Sequence, residues 1–192
     1  MEDFETPNEK PKKDKKDKKN KKASKSIETM FRTTLANHIE LSNMADQKAG
    51  LMISVNAIVI SIMISFLISQ FDDNPRLIAP TFLLVMVCLL TITFAILATK
   101  PSVKSAVNRL PEDLDLLFFG DYTALSLDEY KAAMKSLIDS EKDLRDQLIS
   151  NIYAQGKVLN RKYQRLKVAY TIFMVGFPIV IVVYLLVLSK LF

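Results

Sequence analysis

The sequence predicts an all-α membrane protein with three transmembrane helices, two of which extend into the cytoplasm as a helical stalk with a short extra helix. Three observations predict it. Uncharged apolar segments occur at Gly50–Ser69, Leu77–Thr99 and Val168–Ser189, each with the ~20 residues needed to cross ~30 Å of hydrocarbon. No strong helix breaker separates the first or the third from the polar, helix-patterned stretch before it. The chain has 192 residues, so little length is left for a soluble core.

Charge sets the expected topology. The net charge is +5, residues 1–49 carry twelve Lys/Arg and nine Asp/Glu, and residues 100–167 carry twelve and ten. The link at 71–76 holds only Asp72, Asp73 and Arg76. The positive-inside rule puts the N-terminus and 100–167 in the cytoplasm and the link outside, for a multi-pass membrane protein. Lys190 can snorkel to the far interface. The first apolar segment starts too late and runs too long to be a signal peptide.

Taken in order, residues 1–26 form a lysine-rich tail, with ten lysines between Lys10 and Lys25 and almost no apolar residue. Such a segment buries too little surface to offset its chain entropy and is expected to be disordered. It reads as a solvated topology signal or as a contact for anionic lipid heads. It has neither the interleaved aromatics nor the fold of a nucleic-acid binder.

The first long helix is expected to open at Ser26 or Thr29. His38, Ser42, Ala45, Ala49, Met52 and Asn56 fall three or four residues apart and share one face. Asn56 lies inside the first span, where an unpaired amide is costly, so it is expected to find a partner on another helix. Asp46 and Lys48, just before the membrane, are placed to pair with the last helix. Ala57, Ser61, Ser65 and Ser69 recur every fourth residue. Small residues at that spacing allow close helix approach in lipid, either within the chain or between copies in a homo-oligomer.

Asn74-Pro75 marks a turn, and Pro80 falls in the first turn of the second span, where it is tolerated. Lys100-Pro101 closes that span. Pro111 breaks the pattern in the next segment, and Phe118-Phe119-Gly120-Asp121-Tyr122 forms an aromatic turn in which Gly120 permits positive φ. Ser126-x-x-Glu129 is a capping box that opens a helix over 127–139, and Ser140 caps the next. From Leu144 to Ala169 an apolar seam, interrupted at Gln155 and Lys162, runs into the third span. Gly156 is its one weak point, and Gly176 and Pro178 are expected to kink the span.

The chemistry-bearing residues exclude more than they suggest. The sequence has one His and one Cys (Cys88, within a span), and no nucleophile–base arrangement, metal motif or phosphate-binding glycine loop. No enzyme, no metal and no cofactor is expected. A basic cluster, Lys157, Arg161, Lys162, Arg165 and Lys167, precedes the third span. Part of it serves membrane anchoring. With Arg32, His38 and Lys48 on the facing helix it also suggests an anion site, and Phe118, Phe119 and Tyr122 supply faces on which a base could stack. The candidate ligand is a nucleotide.

Three motifs carry a resemblance. Ala45-Asp46-Gln47-Lys48-Ala49 with Ser54-Val55-Asn56, then Leu116–Tyr122 with Ser126–Tyr130, then Ile152–Gly176 resemble, in order and spacing, the Pycsar membrane effectors of bacterial antiphage systems. The resemblance spans about residues 30–185 and marks 27–192 as the effector-like domain. It implies a partner cyclase that makes a cyclic pyrimidine nucleotide, cCMP or cUMP, on infection. The effector then impairs the inner membrane and causes abortive infection. Similar domains follow HD phosphohydrolases in longer chains, but neither an HD motif nor a cyclic-nucleotide β-roll is legible here. The sensing site is therefore expected among the cytoplasmic helices or in a partner. The Ala57/Ser61/Ser65/Ser69 face and the Asp46–Asn56 crossing are the expected gating elements. The alternative is a non-enzymatic membrane anchor or adaptor for a soluble signalling partner, and a neighbouring cyclase gene would favour the effector.

Overall fold

The structure is a computed structural model. It describes residues 10–70, 75–101 and 114–189, with side chains described from residue 24 onward and not at 67–70. The turn at Asn74, Pro111, Lys190 and the Ser69 side chain lie outside the described residues, as does the start of the lysine-rich tail. The described residues form helices and connecting turns, with no strand among them. The helices are α1 (Lys10–Gln70), α2 (Ile78–Thr99), the single turn α3 (Phe119–Tyr122), α4 (Leu127–Asp139) and α5 (Glu141–Leu188); a 3₁₀ turn, Pro75–Leu77, leads into α2. Among the described residues, three helices are long and apolar enough to cross a membrane.

α1 is assigned from Lys10, upstream of the start expected at Ser26 or Thr29. Pro11 falls in the first turn, where its missing N–H has no intrahelical partner to lose. No further Pro and no Gly follows until Gly50, and Asp14–Lys18 and Asp17–Lys21 have the favourable acid-to-base spacing of four. The chain divides into two compact units, Met1–Asn37 and His38–Phe192. In the first, the Thr29 hydroxyl donates to the Lys25 carbonyl one turn back, at 2.8 Å.

The second unit holds the spans. One core cluster joins Ala45, Ala49 and Met52 of α1, Ala95 and Ala98 of α2, and Leu166 and Ala169 of α5. Five of these seven are alanines, which let three backbones approach closely where lipid tails remove the hydrophobic drive between helices. The buried face of α1 is thus the one marked by the His38–Asn56 spacing. A second cluster joins Leu84 and Cys88 of α2 to Val180 of α5, with Val59, Ile60 and Met63 of α1 against it. Thr81 of α2 donates to the Leu77 carbonyl at 2.7 Å and is hydrogen-bonded to the Tyr184 hydroxyl of α5. Large apolar side chains point outward along all three spans: Ile58, Phe82 and Met174 are 60, 67 and 66 % exposed. That pattern suits lipid as the surrounding solvent.

α5 is continuous through Gly156, Gly176 and Pro178. Gly176 serves close packing: a Cβ there would lie 2.8 Å from Val87 Cγ1. Gly156 sits beside His38, whose Cε1 would be 3.6 Å from an added Cβ. The capping box forms as spaced, with Ser126 Oγ accepting from the Glu129 N–H at 3.3 Å and the Glu129 carboxylate accepting from the Ser126 N–H at 2.8 Å. Ser140 Oγ accepts from the Asp143 N–H at 3.3 Å and opens α5. Gly120 lies within the helical turn α3.

Candidate functional site

The segment before α3 is fastened to α5 by one carboxylate. Asp115 accepts from the Leu117 N–H at 2.9 Å, from Gln147 at 2.9 Å and from Asn151 at 2.7 Å. Asn151, itself buried, accepts from Gln155 at 2.7 Å. The Asp115 N–H in turn donates to Asp121, also buried, at 3.2 Å. A carboxylate satisfied by several donors is stable where an unpaired one is not. Leu114 and Leu116 are buried beside it, so the segment is anchored by both polar and apolar contacts.

The anchored turn, α5 and the first residues of α1 in this unit line a half-open cavity of about 710 Å³, within the usual range for small-molecule sites. Phe118 and Phe119 form an aromatic edge, with ring centroids 5.0 Å apart. Lys157 and Arg161 contribute positive charge; Lys157 lies over the Tyr153 ring, 4.6 Å from its centroid. His38 enters from α1, and its Nδ1 is buried without a hydrogen-bond partner among the described residues. Asn151, Gln155 and Ser42 add polar atoms to the wall.

Lys162 belongs to the same wall and connects it to the membrane boundary. Its ammonium donates to Ser42 Oγ at 2.9 Å and to both Asp46 oxygens at 2.9 and 2.8 Å. The lysine side chain is 15 % exposed and the aspartate 41 %. The pair sits one turn ahead of Ala49, where the three-helix core begins. The Tyr163 hydroxyl adds a bond to the Leu41 carbonyl at 3.2 Å.

The residues singled out from the sequence therefore separate. His38, Phe118, Phe119, Lys157 and Arg161 meet at the cavity. Tyr122 instead packs on Tyr130 of α4, with centroids 5.1 Å apart. Arg165 donates to the Leu97 carbonyl at the end of α2 at 2.7 Å. Lys48 lies with Lys167 on a different, smaller groove. Arg32 is exposed on α1 in the Met1–Asn37 unit. Asn56 is fully buried but donates to the Met52 carbonyl of its own helix at 2.8 Å, and its Oδ1 has no partner among the described residues. Ala57, Ser61 and Ser65 are exposed, with the Ser65 hydroxyl turned back onto the Ser61 carbonyl at 3.0 Å.

Asp115, Gln147 and Asn151 escaped the sequence reading. Their signal was present as a polar stripe, Gln147-Asn151-Gln155, at strict spacings of four along α5. The apolar seam of Leu148 and Ile152 lies one position beside it.

The family model of the Pycsar effector protein domain matches residues 29–189. The chain belongs to the Pycsar effector family. The matched segment contains the cavity, the Lys162–Asp46 node and all three spans, so these are parts of the effector domain. Membership makes the chain an antiphage defence effector, and its three span-length helices make it a membrane one. No curated protein and no solved structure matches it. Among the described residues no group of His, Cys, Asp or Glu could hold a metal ion.

Proposed function

We propose that this Pycsar effector is a ligand-gated membrane-disrupting protein of the inner membrane. The N-terminus and the polar helices face the cytoplasm, and a cyclic pyrimidine nucleotide, cCMP or cUMP from a partner cyclase, binds the cavity. The observation that carries the reading is that one wall residue, Lys162, also ties α5 to Asp46 on α1. The phosphate would be held by Lys157 and Arg161, and the base would stack at Phe118 and Phe119. A donor on the ligand would satisfy the unpartnered His38 Nδ1.

A phosphate entering this wall competes with Asp46 for the Lys162 ammonium. A ligand moves an equilibrium only by its differential affinity for the two states, and a shift from 1:99 to 99:1 needs about 5.5 kcal/mol. Charge-assisted hydrogen bonds supply about 1.5–3 kcal/mol each, so about two to four to the phosphate suffice. Freed at Lys162, α1 and α5 re-pack around the alanine crossing. The Ala57/Ser61/Ser65/Ser69 face then becomes the contact between copies in an oligomer, and the membrane leaks and the cell is lost to abortive infection.

The test is dye efflux from liposomes carrying the full chain, with cCMP, cUMP or cAMP added. Efflux is expected with one of the pyrimidine nucleotides, and Lys157→Ala/Arg161→Ala should abolish it. No efflux with any cyclic nucleotide would discard this mechanism and leave the adaptor reading, in which the polar helices hold a soluble partner.

A further inference from the structure

Lys48 and Lys167, which take no part in the nucleotide cavity, flank a second groove of about 350 Å³ between α1 and α5. Its other lining residues are Tyr163, Leu166 and Tyr170. The two lysines stand at one level, because Lys48 precedes Ala49 and Lys167 lies between Leu166 and Ala169, all three in the same core cluster. That level is the membrane boundary: Lys48 comes two residues before the apolar segment opening at Gly50, and Lys167 immediately precedes Val168. Neither lysine has an ion-pair partner among the described residues, and the nearest acid in sequence, Asp46, is engaged by Lys162. Leu166, also in the lining, is 4 % exposed.

Two lysines without an ion-pair partner among the described residues, set around a groove lined by a leucine and two tyrosines, match one chemistry, an anion joined to a hydrocarbon tail. We infer that the groove binds the headgroup of an anionic phospholipid. Lys48 and Lys167 hold its phosphate and the acyl chain lies along Leu166 and Tyr170. Tyrosines at this depth are the usual residents of the bilayer interface, and each lysine near an anionic surface contributes about 1 kcal/mol. A free phosphate has no tail to fill the groove. Bridged in this way, α1 and α5 are held together at the crossing by the membrane itself.

The experiment is native mass spectrometry of the full chain in detergent, titrated with phosphatidylglycerol, with phosphatidylcholine, and with phosphatidylglycerol against inorganic phosphate. One phosphatidylglycerol should bind at least tenfold tighter than phosphatidylcholine and resist millimolar phosphate. Lys48→Gln/Lys167→Gln should weaken it on the order of thirtyfold, and Lys48→Arg/Lys167→Arg should retain it. Equal binding of the two lipids, displacement by phosphate, or unchanged binding by the glutamine variant would overturn the inference. Should the glutamine variant lose its helical circular dichroism, Tyr170→Ala at the groove edge replaces it. A several-fold loss of phosphatidylglycerol supports the site, and no loss refutes it.

Discussion

Arg165 of α5 donates to the Leu97 carbonyl of α2 at 2.7 Å, and Pro101 is the reason that carbonyl is open to it. In a continuing helix the N–H of residue 101 would occupy Leu97, but proline has none. Proline also drives the residue before it out of the helical region, and Lys100 sits at ψ 125° with its own N–H on Ile96. The guanidinium therefore closes a helix end that the backbone leaves open, and its charge suits the negative end of the α2 dipole.

Arg165→Met should then cost about 0.5–1.5 kcal/mol, the net contribution of a hydrogen bond at an exposed helix end. Pro101→Ala should reduce that cost, since it returns an N–H and lets Lys100 take helical ψ. The check is a double-mutant cycle of unfolding in mixed micelles. Equal cost of Arg165→Met with Pro101 and with Ala at that position would show that the arginine acts elsewhere.

The Lys162–Asp46 pair lies between two regimes. Exposed pairs contribute at most about 1 kcal/mol, whereas contacting groups in a shared network couple by about 0.5–3 kcal/mol. With the lysine largely covered and the aspartate not, a coupling of about 1–2 kcal/mol is expected. Lys162→Met or Asp46→Asn should raise ligand-free dye efflux several-fold, and the double variant should leak no more than the worse single. Additive leakage would mean that the two residues act independently.

Much of the fold was legible because helical periodicity survives in lipid. The spacing of His38 to Asn56 marked the face that α1 buries, and Ser126-x-x-Glu129 marked a cap that forms. What the sequence did not reveal follows from three-dimensional choices that spacing does not encode. Asn56 turned back to its own Met52 carbonyl, an option open to a short polar side chain on a helix. Five basic residues in eleven positions read as one cluster. A helix, however, turns about 100° per residue, which sends Lys157 and Arg161 to the cavity, Lys162 to α1, Arg165 to α2 and Lys167 to the groove. Tyr122 went to Tyr130 because α3 is a helical turn, which fixes where its ring points. The packing of Gly176 against Val87 cannot be seen along the chain.

Gly176 gives the cleanest packing test. A methyl added there meets Val87 Cγ1 at 2.8 Å, and valine is stiff at χ1, so the clash cannot be relieved by a rotamer change alone. Gly176→Ala should destabilise by about 1–3 kcal/mol, the usual cost of overpacking. Val87→Ala should restore most of it. Gly50→Ala is the control: nothing lies within 4 Å of its added Cβ, and helix propensity alone favours alanine by about 1 kcal/mol. Unfolding in mixed micelles separates the two. A destabilising Gly50→Ala or a neutral Gly176→Ala would contradict the packing described.

The capping box makes α4 pH-sensitive with a definite sign. The Ser126 hydroxyl and the Ser126 backbone N–H, both bonded to the exposed Glu129 carboxylate, hold its pKa below the usual glutamate value of 4.5. A carboxyl with a lowered folded-state pKa stabilises wherever it is ionised. The contribution is therefore complete above about the ordinary glutamate value and is lost as pH falls through the lowered one. Titration of the Glu129 side chain by NMR in micelles should give a midpoint below that of a free glutamate, and Ser126→Ala should move it upward. With Ser126→Ala the N-terminus of α4 should fray more than in the wild type at neutral pH, because the hydroxyl that accepts from the Glu129 N–H is gone. A Glu129 midpoint unchanged by the substitution would show that the shift does not come from the cap.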